Sequence, residues 1–349
     1  MSDTKLSLSN LGVEVSSCEV PLDFSDTSRF RKIEFPEQAG ITANSLLQLI
    51  PASLAADAAS NTYVLRFPNG IQGTLMNLHQ GGQSATIMDT TGHIAGSASL
   101  YKVNPLSVAA FQMFSVASFA TGQYFLADIS SKLTEVNRKL DDILAFLQAS
   151  KRTELLSELT FVKYALANYA TIMLSEPQRM ATIGNLQRAK IKAVADMEFY
   201  AEELENATAA KNLENQIGTI LQHKRTIDLT SQLYSISTIM ESYYAQNWDA
   251  TYTKYLKDET EDLMGLIEKR VSTAIGTYAN TIRDAHKENP VTKKTKPFSE
   301  TEKTLLHTSE ILTNRTKNPL VDTIQEALNK PFESSELYLR SDGSVYQKI

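Results

Sequence analysis

A long stretch with almost no proline constrains the fold of this chain more than any other feature. Between residues 106 and 289 the only proline is Pro177, and glycine is scarce there too. Because proline breaks helix interiors and glycine weakens them, this stretch predicts several long helices. The first hundred residues hold eight of the 14 glycines, as is typical of short strands and turns. We therefore predict a mainly α fold, a long-helix bundle or coiled coil with a small N-terminal β-rich (α+β) domain and a C-terminal β-hairpin.

Three sections follow from this division. Residues 1–101 form a small Gly-rich β or α+β domain, residues 102–289 form the long-helix bundle, and residues 290–349 form a polar segment with short helices. The last section ends in a predicted hairpin over residues 335–348, because strand-forming runs flank Asp342-Gly343, a favoured two-residue turn.

Strand and helix signals define the expected elements inside these sections. The predicted long helices run from Pro177 to about Ala209, from Asn212 to about Trp248 and from Tyr252 to about His286. Shorter helices are predicted at 299–313 and 320–329. Predicted strands lie at 30–35, 62–67, 71–76, 83–88 and 93–101. Turn residues between the second and third of these strands, and between the fourth and fifth, predict two hairpins.

Charged residues are nearly absent from one part of the chain. Of the 74 charged side chains, residues 38–127 carry only four, at Asp57, Arg66, Asp89 and Lys102. Up to residue 101, Gly, Ser, Thr, Asn and Gln replace the charges, as compact strands and turns allow. Residues 103–127 instead combine long apolar side chains with no charge, over a length that exceeds the ~20 residues needed to cross a bilayer.

The uncharged helix predicted over residues 105–127 has three open interpretations. It is a central helix surrounded by its neighbours, a segment that inserts into a membrane conditionally, or a permanent anchor. Its Ser, Thr and Gln side chains disfavour the permanent anchor. On insertion, the apolar side chains would contact lipid: Phe111, Phe114, Val116, Phe119, Phe125 and Leu126. Ser118 and Gly122 form a small-xxx-small pair that allows close helix packing.

A heptad pattern runs over residues 129–173. Its apolar residues recur at alternating steps of four and three, as in a coiled coil. The first half of this heptad seam consists of Ile129, Leu133, Val136, Leu140, Ile143 and Leu147. After a step of eight residues, the second half consists of Leu155, Leu159, Val162, Leu166, Tyr169 and Met173. That step indicates either a turn near Ala149-Ser150 or one helix with a skipped phase. The pattern leaves open whether the seam closes within one chain or between chains.

Signatures of catalysis and of cofactor binding are absent from the sequence. It contains no nucleophile-elbow, zinc-protease, P-loop or dinucleotide-binding motif. The five histidines include no pair at helical spacing, and the single cysteine, Cys18, excludes an intrachain disulfide and a cysteine-based metal site. We therefore expect no catalytic residue, no metal and no cofactor, and we lean towards a non-enzymatic function. An enzyme whose site follows no known motif stays an open alternative.

An aromatic concentration lies near the end of the second long helix, at Tyr243, Tyr244, Trp248, Tyr252 and Tyr255. It suits an aromatic belt at a membrane interface, the wall of a ligand site, or helix packing across a turn. Because amphipathic aromatic side chains are common at partly buried helix ends, we favour packing.

Net charge and the N-terminus bear on partners and location. The formal net charge of −6 at pH 7 disfavours nucleic acid as a partner, since binding phosphate backbones requires an excess of Lys and Arg. The residues after Met1 include no apolar region behind a basic start, so we expect no cleaved signal peptide. The expected location is cytoplasmic, or secreted without a cleaved signal peptide, with membrane association as a further expectation.

Long helices, one uncharged apolar segment and a coiled coil leading away from it resemble the architecture of helical pore-forming toxins over about residues 103–286. The resemblance is one of pattern and carries over no individual residue. It implies that membrane contact releases the hidden segment, whose backbone is satisfied by its own helical hydrogen bonds. We therefore expect a non-enzymatic homo-oligomer that acts by membrane association or self-assembly, with conditional insertion of helix 105–127. The alternative is a soluble helical scaffold or adaptor that binds a partner protein through its coiled coil or terminal domains.

Overall fold

The computed structural model describes the chain in ranges separated by gaps. The described residues are 14–18, 22–33, 62–67, 73–78, 82–88, 94–99, 149–173, 175–209, 213–286, 297–315, 317–333, 335–342 and 344–348. The helices and strands within them confirm a mainly α fold with small β elements near the N-terminus and a C-terminal β-hairpin.

Seven helices lie in this described part of the chain. They are α1 (Ala149–Ala167), α2 (Tyr169–Met173), α3 (Glu176–Ala209), α4 (Leu213–Ala245), α5 (Ala250–Ala285), α6 (Glu300–Asn314) and α7 (Pro319–Asn329), followed by a 3-10 turn, Lys330–Phe332. α3, α4 and α5 match the three long helices predicted from the proline-poor stretch to within a few residues at each end. Ala149 and Ser150 are both helical, and the residues before them lie outside the described ranges, so the choice between a turn near this position and one helix with a skipped phase stays open.

Local side-chain signals set where several helices begin and end. Asp249 caps α5, Ser299 and Glu302 form a capping box at the start of α6, and Asn318 caps α7. In each case a short polar side chain accepts a hydrogen bond from a backbone N–H of the first turn, which has no partner within the helix. After α4, Gln246 adopts a φ of 50°, a left-handed conformation that ends a helix.

The nine described strands form two antiparallel sheets. The strands are β1 (Glu14–Ser17), β2 (Phe30–Lys32), β3 (Thr62–Phe67), β4 (Gly73–Leu78), β5 (Gly82–Met88), β6 (Ile94–Ser99), β7 (Asn247–Trp248), β8 (Ser335–Arg340) and β9 (Val345–Lys348). One sheet has the order β1-β3-β8-β9-β2 and the other β6-β5-β4-β7. The predicted C-terminal hairpin, now β8 and β9, therefore pairs with strands from the beginning of the chain. The domain division stays a prediction, although this sheet joins its first and third sections.

One hairpin predicted from turn residues is wrong and the other is confirmed. β3 does not pair with β4, because β1 and β8 occupy its two edges. β4 pairs with β5 and β7 instead. Turn-forming residues indicate that a chain turns but not which strand it meets, and here a long-range contact decides, with buried Leu65 opposite buried Leu337. β5 and β6 pair as predicted.

The helix α4 lies at the centre of the bundle and contacts α1, α3, α5, α6 and α7. Its residues 233–244 are buried without interruption. Three hydroxyl groups in this stretch donate to carbonyl oxygens four residues earlier, at 2.8 Å for Ser235, 2.9 Å for Thr238 and 3.1 Å for Ser242, whereas the buried Ser237 hydroxyl has no hydrogen-bond partner. Among the described residues, α4 therefore holds the surrounded position that the sequence also allowed for helix 105–127, a segment outside the described residues.

Candidate functional site

The site residues predicted from the sequence lie outside the described residues. This holds for the lipid-contact set from Phe111 to Leu126, for the Ser118 and Gly122 pair, and for the first half of the heptad seam. All of them stay predictions. The described residue nearest to them in the chain is Ala149, where α1 begins. The junction between α1 and the bundle is therefore the part of the described structure through which they would act.

The second half of the heptad seam holds α1 and α2 on the bundle. All six of its residues lie in or against the hydrophobic core: Leu155, Leu159, Val162, Leu166, Tyr169 and Met173. This core is shared with α3 and α4, so this half of the seam is buried within the chain. The spacing of four and three thus predicted correctly which face of the two helices is buried.

Five charged side chains line the contact between α1 and α3, and we call them the charged interface: Lys151, Glu154, Glu158, Lys192 and Asp196. The Nζ of Lys151 lies 2.7 Å from Oδ1 of Asp196, and the Nζ of Lys192 lies 2.6 Å from Oε2 of Glu154. Of these four side chains only that of Asp196 is buried, at 5% exposed, while the other three are 33–45% exposed. Residue numbers rise on α1 as they fall on α3, so the two helices run antiparallel.

Glu158 is the titratable group of the charged interface. Its Oε2 is buried and accepts no hydrogen bond. Burial, with a further contribution from the charge of Asp196, raises the pKa of the Glu158 carboxyl to about 7, against the opposing effect of Lys192. Glu158 therefore gains or loses its proton near neutral pH, whereas an exposed glutamate is ionised throughout this range.

Sequence analysis missed the charged interface, although half of it carries a recognisable signal. Lys151 and Glu158 lie seven residues apart, directly beside the apolar seam positions. In heptad patterns, charges at this flanking position contact the neighbouring helix. Lys192 and Asp196 on α3 carry no comparable signal, because nothing in their local sequence separates them from an ordinary solvated helix face.

Neutral aromatic side chains make the contact at the opposite end, and we call Tyr169, Tyr243 and Tyr244 the tyrosine cluster. The rings of Tyr169 and Tyr244 lie 5.0 Å apart. The Tyr244 hydroxyl donates to the Ala165 carbonyl at 2.7 Å, beside the interruption between α1 and α2. The Tyr243 hydroxyl donates to the Ala327 carbonyl of α7 at 3.0 Å. Burial raises the pKa of all three phenols, so they stay neutral.

The aromatic residues grouped in the sequence near the end of α4 include both buried and exposed side chains. Tyr243, Tyr244 and Trp248 are buried, and the rings of Tyr243 and Trp248 lie 4.9 Å apart across the turn after α4. Tyr255 is 60% exposed. The prediction of helix packing is confirmed for the three buried residues.

Arg179, in the first turns of α3, is a second group that sequence analysis missed. Its side chain is buried at 6% exposed, and its Nε has no hydrogen-bond partner. Burial lowers the pKa of the guanidinium, although Glu176 and Tyr169 oppose this effect. Arg179 lies at the tyrosine end of the junction, where its guanidinium is buried and its Nε lacks a hydrogen-bond partner.

Within the described ranges, no group of three or more His, Cys, Asp or Glu side chains is arranged to hold a metal ion. A search of the same ranges finds no helix with both the length and the apolar character that a bilayer crossing requires. The chain matches no protein-family model, and comparisons with curated proteins and with solved structures also find no match. In the described junction, ion pairs, buried apolar residues and neutral phenols hold α1 and α2 in place on the bundle.

Proposed function

We propose that this chain is a non-enzymatic helical protein that acts by membrane association or self-assembly, with conditional insertion of helix 105–127. The described bundle is then the base that carries this segment, and α1 is the link between them. The observation that supports this most is the position of α4. Because α4 fills the surrounded centre of the bundle, no uncharged helix is needed there.

The nature of the α1 contact supports a conditional link. At its first turns α1 is held on α3 by ion pairs, of which the Lys192–Glu154 pair is partly exposed, and by a carboxyl group that titrates near neutral pH. Exposed pairs stabilise weakly and are screened by salt. This end of α1 can therefore open at lower cost than the tyrosine end, and residues 105–147 directly precede it in the chain.

Self-assembly through the first half of the heptad seam is the second part of the proposal. Ile129 to Leu147 form an apolar stripe that a second copy of the chain would cover with an identical stripe. We therefore include a homo-oligomer in the proposal, joined by a coiled coil next to the uncharged helix.

A vesicle experiment tests the membrane part of the proposal. Purified protein is mixed with dye-loaded vesicles of phosphatidylcholine and phosphatidylglycerol, and flotation and dye release are measured. We expect the wild type to float and to release dye, and Gly122→Leu to release less because a larger residue separates packed helices. Leu266→Asp on α5, where the side chain is 53% exposed, is the control that should behave as wild type. Absence of both flotation and release, with Gly122→Leu indistinguishable from wild type, would contradict the proposal.

Sedimentation tests the self-assembly part. Leu140→Asp places a charge in the apolar stripe, whereas Asn137→Asp adds the same charge outside it. We expect the wild type and Asn137→Asp to sediment as the same oligomer and Leu140→Asp to sediment as a smaller species. A wild type that is monomeric at all accessible concentrations would rule out assembly through this stripe.

The alternative, a soluble scaffold that binds a partner protein, is favoured by one observation. Apolar side chains stay exposed on α1 and α3, at 52% for Tyr164 and 72% for Ile191. Phe114→Asp separates the two functions. A buried charge lowers the free energy of unfolding wherever the segment is hidden in the soluble form, so stability is read together with flotation. A scaffold with a core helix at 105–127 loses stability and does not float even as wild type, whereas a membrane-inserting protein floats as wild type and loses flotation in the variant.

A further inference from the structure

A cleft of ≈ 830 Å³ lies among α4, α5, α6 and the start of α7, away from the junction with α1. Its volume is within the range of about 300–1,000 Å³ that small-molecule sites occupy. The apolar part of its wall includes Ile227, Met264, Ile267, Val271 and Leu312, all of which are buried. The cleft therefore has an apolar wall against which a hydrocarbon chain can pack away from water.

The solvent-facing part of the same cleft is charged. Lys224, Arg225 and Arg315 contribute three positive charges, and Asp228 and Glu268 contribute two negative ones, which leaves one positive charge in excess. The side chains of the four paired residues are 16–51% exposed, so this part faces water.

The pairing of these charges identifies the one in excess. Lys224 pairs with Asp228 at 2.6 Å, and Arg315 pairs with Glu268 at 3.2 Å. Among the described residues, Arg225 has no such partner, and it is exposed at the cleft. A guanidinium without a carboxylate can form charge-assisted hydrogen bonds with a carboxylate or phosphate.

We propose that this cleft binds a small amphipathic anion, an apolar chain that carries one carboxylate or phosphate head. The chain lies against Ile227, Ile267 and Val271, and the head lies at Arg225. A neutral amphiphile gains only the apolar contacts, and a cationic one meets the excess positive charge. This site rests on α4–α7 alone and does not depend on the action proposed for residues 105–147.

Fluorescence titration with a dansyl-labelled fatty acid, in buffer without vesicles, measures this binding on the full chain. We expect dodecanoate and dodecyl phosphate to displace the probe at concentrations at least about tenfold lower than dodecanol does. A charge-assisted hydrogen bond changes the dissociation constant by this factor or more. Comparison of the two anions shows which head the cleft prefers. Dodecyltrimethylammonium should displace it least.

Two matched pairs of variants locate the site. Ile311 lines the cleft and is 52% exposed, whereas Leu266 is 53% exposed and lies outside it. Ile311→Glu should weaken binding of the probe about tenfold through charge repulsion, with Leu266→Glu unchanged. Arg225→Gln should weaken binding of the two anions and leave binding of dodecanol unchanged. Arg188→Gln on α3 removes the same charge elsewhere and should change the binding of none of these compounds. Circular dichroism on each variant confirms the fold.

Three results would overturn this site. They are absence of saturable binding, equal displacement by dodecanol and dodecanoate, and equal effects of the two substitutions in either pair. None of them bears on vesicle flotation, so failure of this site and failure of the proposed membrane action can be told apart.

Discussion

The two ends of the contact between α1–α2 and the bundle bury the same heptad seam by different means. At the first end, Lys151, Glu158 and Asp196 belong to a charged interface that is partly open to water. At the second end, Tyr169 and Tyr244 are buried, neutral and hydrogen-bonded to backbone carbonyls. Stability at the first end therefore depends on pH and salt, and stability at the second end depends on packing. The end whose stability depends on pH and salt is the one nearest in the chain to residues 105–147.

A substitution in the tyrosine cluster should change the free energy of unfolding more than any substitution in the charged interface. Tyr244→Ala removes a fully buried ring, its contact with Tyr169 and its hydrogen bond to the Ala165 carbonyl. We expect it to lower the free energy of unfolding by about 3–5 kcal/mol, the usual cost of deleting a buried aromatic ring. Urea unfolding followed by circular dichroism measures this. Tyr255→Ala, at an exposed position, is the control, and a similar loss there would remove the distinction between the two residues.

Substitution of Arg179, at the same end, should raise the free energy of unfolding instead of lowering it. Arg179→Met replaces a buried charge whose Nε has no hydrogen-bond partner with an apolar side chain of similar length. We expect the free energy of unfolding to rise by about 1–3 kcal/mol, because the cost of desolvating the charge disappears. The same urea measurement tests this, with Arg188→Met on the exposed face of α3 as control. A loss of stability in Arg179→Met would show that the guanidinium is satisfied by a group absent from the described contacts.

At the charged end, the effect should depend on pH. The pKa of Glu158 is about 7 in the folded chain against 4.5 for an ordinary glutamate, so the folded state holds this proton more tightly. Its contribution is complete below pH 4.5 and is lost as the pH rises through about 7. One proton changes the free energy of unfolding by at most about 1.4 kcal/mol per pH unit.

Glu158→Gln should therefore match the wild type at pH 4.5 and exceed it in stability above pH 7, as measured by urea unfolding across this range. Lys151, Glu154, Lys192 and Asp196 face the same carboxyl and are unchanged in the variant. Glu202→Gln, on the exposed face of α3, removes a carboxylate elsewhere and is the matched control. Parallel pH profiles for wild type and Glu158→Gln would mean that Glu158 is exposed to water.

The smallest effect is expected at the exposed pair of the charged end. Glu154→Gln removes the ion pair with Lys192, whose side chains are 45% and 34% exposed. Because salt screens exposed charges, we expect a slight decrease in the urea midpoint at low salt and none at high salt. If Glu154→Gln lowered the urea midpoint equally at high salt, the pair would be shielded from water, as the tyrosine cluster is.

Local sequence was sufficient to predict the helices and the buried face of the junction. Leu155 to Met173 repeat at steps of four and three, and this spacing alone places them on one side of a helix. The three long helices follow in the same way from the absence of proline, and the hairpin at 335–348 follows from Asp342-Gly343. Each of these features depends on residues that are close together in the sequence.

Tertiary structure alone decided which distant groups meet. β3 pairs with β8, about 270 residues away, and not with the next strand, because packing of Leu65 and Leu337 sets the pairing. Glu158 acquires its high pKa because packing against other helices buries its carboxyl and also brings the charge of Asp196 near it. Among the described residues, the helix at the centre of the bundle is α4, and nothing in its local sequence marks it for that position. Periodicity is a local property that one sequence displays directly, whereas strand partners, buried charges and central positions depend on contacts between segments that are far apart in the chain.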